Sequence, residues 1–164
     1  MNCRRALVAL VTSFLLLGSG AGAASAYDAL PTGTDVDYQL GGAVDRPDSV
    51  GIIARDRTES PAEGCYNICY VNGFQTQDNE KKFWLDHRGL LLKDDGKLVV
   101  DESWGEWLLD VRTPAKRKKL IAIVGRWIDG CASADFQAVE FDNLDSFTRS
   151  HKLLLSDPRL GAAG

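Results

Sequence analysis

The segment QAVEFDNLDS, residues 137–146, ends a short apolar run in Asp142, Asn143 and Asp145. Two carboxylates and an amide within four residues suit three kinds of chemistry. They can cap a solvated turn, ligate a cation through oxygen, or supply an acid–base group where a strand leaves a sheet. DNLD lacks the ligand spacing and central glycine of an EF-hand loop, which argues against calcium. Glu140 precedes Asp142 by two positions, so on an extended strand both side chains share a face. They would stand ~6.6 Å apart along it and approach a ligand from one side. Gln39, Arg55, Asn72 and Asp110 also end apolar runs. Each can hydrogen-bond a hydroxylated ligand, and Asp110 can receive a cation. Gln75, Gln77, Trp104 and Trp107 lie near these positions, the tryptophans as platforms for a ring or as core.

Positioning such groups requires strands that end together. Five segments read as strands from their short length and their β-branched and aromatic content: 36–40, 50–55, 66–72, 107–111 and 138–142. The links 41–49 and 56–65 are too short for helical crossovers, so they are loops or single turns. Residues 79–87 fit a short helix, and 90–100 a hairpin turning at Asp95-Gly96. The clearest helix starts with Thr113 as N-cap and Pro114 as first residue. Its apolar face is expected to carry Leu120, Ile121, Val124, Trp127, Ile128 and Cys131. A strand–helix–strand unit over 107–142 would make its two strands parallel. In parallel α/β proteins the ligand crevice lies at the carboxyl ends of the strands, where the polar residues above are expected.

Alternation makes a further prediction. Ile68, Tyr70 and Asn72 share one face with Ala138, Glu140 and Asp142, while Cys69, Val71, Val139 and Phe141 face the helices. Cys131 is on the sheet-facing side of the long helix, so a Cys69–Cys131 disulfide is expected, with Cys65 free. Cys65 and Cys69 are too far apart on one strand to join. The alternative is three buried free thiols.

Arg4 and Arg5, the apolar run 6–17 and the small residues ending Ala24-Ser25-Ala26 form the three-part pattern of a secretory signal. Residues 1–26 are therefore expected to be removed and the protein to be secreted. The apolar run is shorter than the ~20 residues of a membrane span, so no membrane association is expected after cleavage. Removal leaves 138 residues with a formal charge of −6, which excludes a basic nucleic-acid footprint. The basic run 116–119 reads as the solvated face of a helix. His87 and His151 are far apart, no CxxC pair is present, and neither a metal nor a cofactor is expected.

Four stretches occur in order: DYQLGGA (37–43), YNICYVNGFQTQ (66–77), WGEWLLDVR (104–112) and AVEFDNLDS (138–146). Together they resemble the glycoside hydrolase family 114 domain, of the endo-α-1,4-polygalactosaminidase type, in its secreted actinobacterial branch. The resemblance covers roughly 35–150; little of 151–164 matches. It implies a β/α barrel and hydrolysis of α-1,4-linked galactosamine-containing polysaccharide without a cofactor. It also implies that Asp142 is one of two essential carboxylates, the other being a glutamate on a later strand. Glycosidases use two because one protonates the leaving oxygen while the other attacks or activates water. Gln39, Asn72, Asp110, Glu140, Asn143 and Asp145 are the expected substrate-binding residues. Phe141 and Ala134 stand where the family often has proline and glycine.

A barrel of this type runs to ~250 residues. The expected fold is therefore α/β, the N-terminal portion of a (β/α)8 TIM barrel, incomplete, with residues 1–26, 35–150 and 151–164 as signal, barrel portion and tail. The function expected is secreted glycoside hydrolysis, with an inactive or incomplete fragment as given. The alternative is a non-catalytic secreted carbohydrate-binding or interaction protein. Self-association through the open barrel edge is a further expectation.

Overall fold

The computed structural model describes residues 28–155. The signal segment 1–26 and residues 156–164 of the tail lie outside the described residues. Four strands form one parallel sheet: β1 (Asp35–Gln39), β2 (Val50–Asp56), β3 (Tyr66–Asn72) and β8 (Ala138–Asp142), in the order β1-β2-β3-β8. β2 and β3 are buried along most of their length, consistent with the dense apolar runs typical of strands covered on both faces. Neither link between the first three strands contains a helix. Loop hydrogen bonds close the first link instead, such as Asp35 N to Ser49 O at 3.0 Å.

Residues in register share a face. Tyr38, Ala54 and Ile68 align on one side, as do Asp56, Tyr70 and Glu140. On the other, Cys69 and Val71 pack with Val124, Cys131 and Phe136 beneath α2 (Pro114–Ser133). Cys69 and Cys131 are joined, S–S 2.06 Å, and Cys65 is free. Helix α2 starts where its cap requires, Thr113 accepting from the Lys116 amide at 3.2 Å with Pro114 at the first position.

The face of α2 differs from expectation at three residues. Leu120, Val124 and Cys131 are buried, but Ile121 is 71% exposed and Ile128 partly so, whereas Ile123 is 5% exposed. At ~100° per residue, 120, 123, 124, 127 and 131 form the stripe, and 121 and 128 fall to its side.

Between β3 and α2 lies an insert that shares its core with α2 and the segment around Leu154. It contains α1 (Lys81–Asp86), the hairpin of β4 (Lys93–Asp94) and β5 (Lys97–Leu98), and a second antiparallel pair, β6 (Val100–Asp101) with β7 (Glu106–Trp107). The first hairpin turns at Asp95 and Gly96, both with positive φ (44° and 78°), as a type I′ turn demands. Trp84, Leu90, Leu91, Leu109, Leu120 and Ile123 make one core cluster, and Leu92, Val99, Leu108 and Leu154 another.

The expected strand 107–111 does not join the sheet. Leu108, Leu109 and Asp110 donate their amides to Val99, Phe74 and Leu90, all within the insert. Leu108 and Leu109 are both buried, in different clusters. The amides of 107–110 that a neighbouring sheet strand would have paired are taken within the insert, so 108–111 is extended but outside the parallel sheet. The parallel neighbour of β8 is therefore β3, and the crossover between them is the whole of 73–137.

Several contacts help hold the insert to the sheet and to α2. Arg57 pairs with the buried Glu80 at 2.5 Å and stacks 4.0 Å above the Trp127 ring of α2, while Trp84 Nε1 donates to Glu80 at 2.8 Å. Gly73, just after β3, lets the Phe141 ring lie against the backbone, where any Cβ would collide with it.

Candidate active site

The inward face of the sheet ends in a polar cluster. Asp142 closes β8 beside Asn72, its register partner at the end of β3. Tyr70, two residues before Asn72, donates its hydroxyl to Asp142 Oδ2 at 2.7 Å. The Asn143 amide donates to Oδ1 at 2.7 Å. Both carboxylate oxygens are thus fixed by donors. One step down the strand, Glu140 accepts from the Tyr38 hydroxyl at 2.9 Å, and the two tyrosine rings meet edge to face at 6.4 Å. Burial, then the hydrogen bonds to Glu140 and Asp142, push both phenols well above their ordinary pKa, so they remain donors at any physiological pH.

Asn72 carries the cluster into the insert. Its Oδ1 accepts from the Gln75 amide at 3.0 Å, which fixes the side chain, and its Nδ2 donates to Glu106 Oε2 at 3.1 Å. Glu106 belongs to β7, and its carboxyl titrates at about 7 instead of 4.5. Burial is the main cause; the Asn72 hydrogen bond opposes it, and the fields of Asp101, Asp142 and Asp78 reinforce it. Near neutrality the cluster therefore holds one carboxyl poised between its charged and neutral forms.

Glu106 also lines an open groove of about 420 Å³ with Asp56, Glu59, Gln77, Asp78 and Trp104. Asp56, at the end of β2, is held by Gln77 Nε2 at 2.8 Å and by the Thr58 hydroxyl at 2.5 Å. Trp104 is 74% exposed at the groove edge, an aromatic face open to a sugar ring. Lysine, arginine and histidine are absent from the lining among the described residues.

The structure brings some of the expected site residues together and not others. Asp142, Glu140 and Asn72 share the cluster. Gln39 aligns with Arg55 and Cys69, on the opposite face, where it bonds Asp37, Val44 and Arg55. Arg55 is likewise turned away from the mouth and donates to Gln39 and the Ser60 carbonyl. Asp110 is 1% exposed and saturated by Arg112 and by Lys116 at 2.5 Å. Burial opposes its ionisation, but these partners outweigh it and hold its pKa at about 2. It anchors the start of α2 and has no lone pair directed at a ligand. Asn143 and Asp145 accept from Arg149 at 3.3 and 2.8 Å, shaping the turn Ser146–Arg149. Gln75 is fully buried against Asp101 and Ser146, whereas Gln77 reaches the groove. Glu106, Tyr70 and Tyr38 join the candidate site although the strand-end pattern does not mark them. Tyr70 and Tyr38 were accessible through the period-two rule; Glu106 carries no local signal.

The family model for glycoside-hydrolase family GH114 matches residues 18–160. The chain belongs to this family. The crystal structure of Aspergillus fumigatus Ega3 in complex with galactosamine is similar in fold, with a TM-score of 0.53 at 18% identity. The match covers 79% of this chain and 51% of that one, so the chain spans about half the length of that solved structure. The sheet of this GH114 chain accordingly corresponds to part of a β/α barrel, with α/β order and all strands parallel. No curated protein matches the chain.

Proposed function

We propose that this GH114 chain contributes to a secreted glycoside hydrolase acting on galactosamine-containing polysaccharide, with Asp142 as one of its two catalytic carboxyl groups. The observation that carries this reading is the placement of Asp142: it ends a parallel strand on the inward face, held at both oxygens by Tyr70 and Asn143. Family membership supplies the reaction class, and the similar Ega3 structure contains galactosamine. Cleavage of a glycosidic bond needs one carboxyl to protonate the departing oxygen and another to attack the anomeric carbon or deprotonate water. Asp142 suits the second role, because donors on both oxygens fix its direction. Glu140 and Asn72 act beneath it, the first through Tyr38 and the second as the link to Glu106. Secretion rests on the basic–apolar–small pattern of residues 1–26.

The test is the release of reducing ends from α-1,4-linked galactosamine oligomers. Asp142→Asn, nearly isosteric, is expected to lower the rate by at least about 1,000-fold without moving the thermal midpoint by more than about 2 °C. Equal rates for the variant and the natural chain would sink the assignment.

A further inference from the structure

We propose that Glu106 receives the ammonium group of the substrate and gives up its own proton as the substrate binds. The inference rests on the substrate reading above and names the residue that discriminates an amino sugar from its N-acetylated form.

Three observations carry it. First, Glu106 belongs to both features: Asn72, the register partner of Asp142, holds its carboxyl, and the same side chain lines the acidic groove. A sugar chain running from Asp142 into the groove therefore passes Glu106. Second, Glu106 has no cationic partner among the described residues, unlike Asp101 and Asp78. Asp101 on β6 is paired with Arg149 at 2.6 Å, and Asp78 with Lys81 at 2.6 Å. Asp56 is occupied by Thr58 and Gln77. Third, the ionisable groups whose fields act on Glu106 are Asp101 of β6, Asp142 of β8 and Asp78 of the turn Asp78–Glu80, and Tyr70 of β3 feels its charge in turn; all are acids or a phenol. Burial first, then the fields of these acids, push the Glu106 carboxyl up to about 7, so it is mostly protonated at pH 6 and half so at pH 7. An arriving ammonium supplies a positive charge and a donor of matching geometry. The carboxyl proton then leaves to solvent, and the carboxylate–ammonium pair replaces it. An N-acetyl group carries no charge and cannot drive the exchange.

Isothermal titration of α-1,4-linked galactosamine tetrasaccharide at pH 6, in two buffers of different ionisation enthalpy, counts the protons exchanged. For the natural chain the expected result is release of close to one proton per bound sugar chain. At pH 8.5, where Glu106 is already ionised, its contribution falls to near zero. Glu106→Gln is expected to abolish the release at pH 6. It should also narrow the preference for the free amine over the N-acetylated tetrasaccharide from about tenfold or more to about threefold or less. Binding by the natural chain without proton release at pH 6 overturns the inference and leaves the substrate reading intact, as does release that survives in Glu106→Gln. Failure of the natural chain to bind either oligosaccharide overturns both.

Discussion

Glu106 shows what one misplaced-looking carboxyl does to a small protein. Its pKa in the fold is about 7 against 4.5 for the unperturbed group, so the folded chain binds its proton more tightly than the unfolded chain does. The group is therefore least costly below pH 4.5, its cost grows as pH rises from 4.5 to 7, and above that the cost is constant. Because the side chain is only half-buried, solvent screening reduces the loss to about 1–2 kcal/mol. Urea titrations at pH 5 and pH 8 are expected to show that loss in the natural chain and its absence in Glu106→Gln. A variant as pH-sensitive as the natural chain would rule out Glu106 as the source. Sequence reading placed Asp142, Glu140 and Asn72 because period-two alternation and a strand end are local facts. It could not place Glu106, whose two-residue strand reaches the site only through the fold of the insert. Asp110 misled for the opposite reason: it ends an apolar run, yet Arg112 and Lys116 lie within six residues and neutralise it locally.

The elements repeat this division. The buried strands β2 and β3, the Asp95-Gly96 turn and the capped start of α2 follow from composition and short-range stereochemistry, and sequence reading recovers them. The segment 107–111 has the composition of a strand and an extended backbone, but partners decide sheet membership, and its partners are in the insert. Helix α2 depends on its tether to β3. The Cys69–Cys131 bond closes a sequence separation of 62 and encloses the whole insert, so it restricts the unfolded chain strongly. Replacing both cysteines by alanine is expected to cost about 3–4 kcal/mol in chemical denaturation. A loss below about 1 kcal/mol would mean that Val124, Phe136 and the Arg57–Glu80–Trp127 contacts suffice to dock α2 unaided.

At the scale of the molecule, the sheet has two open sides. β1 and β8 each have one strand neighbour among the described residues. Next to β8 an apolar groove of about 390 Å³ runs between Phe74, Phe141, Leu120, Ile121, Val124 and Ile128. Contiguous exposed apolar surface of this kind binds whatever apolar surface it meets. Ile121→Lys is expected to reduce the fluorescence of a bound apolar dye by about half while leaving the thermal midpoint within about 2 °C, because Ile121 is exposed. Unchanged dye binding would place the sticky surface elsewhere. The long crossover between β3 and β8 has a consequence in time as well as in space. The first three strands are neighbours in the chain and close short loops, whereas β8 must wait for 73–137 to be gathered in. Pulse-labelled hydrogen exchange is expected to find the β2 amides protected before those of β8, and simultaneous protection would refute that order. If β8 arrives last, the carboxyl proposed to act in the reaction, Asp142, takes its place only at the end of assembly, and on that reading a half-folded molecule would be chemically silent.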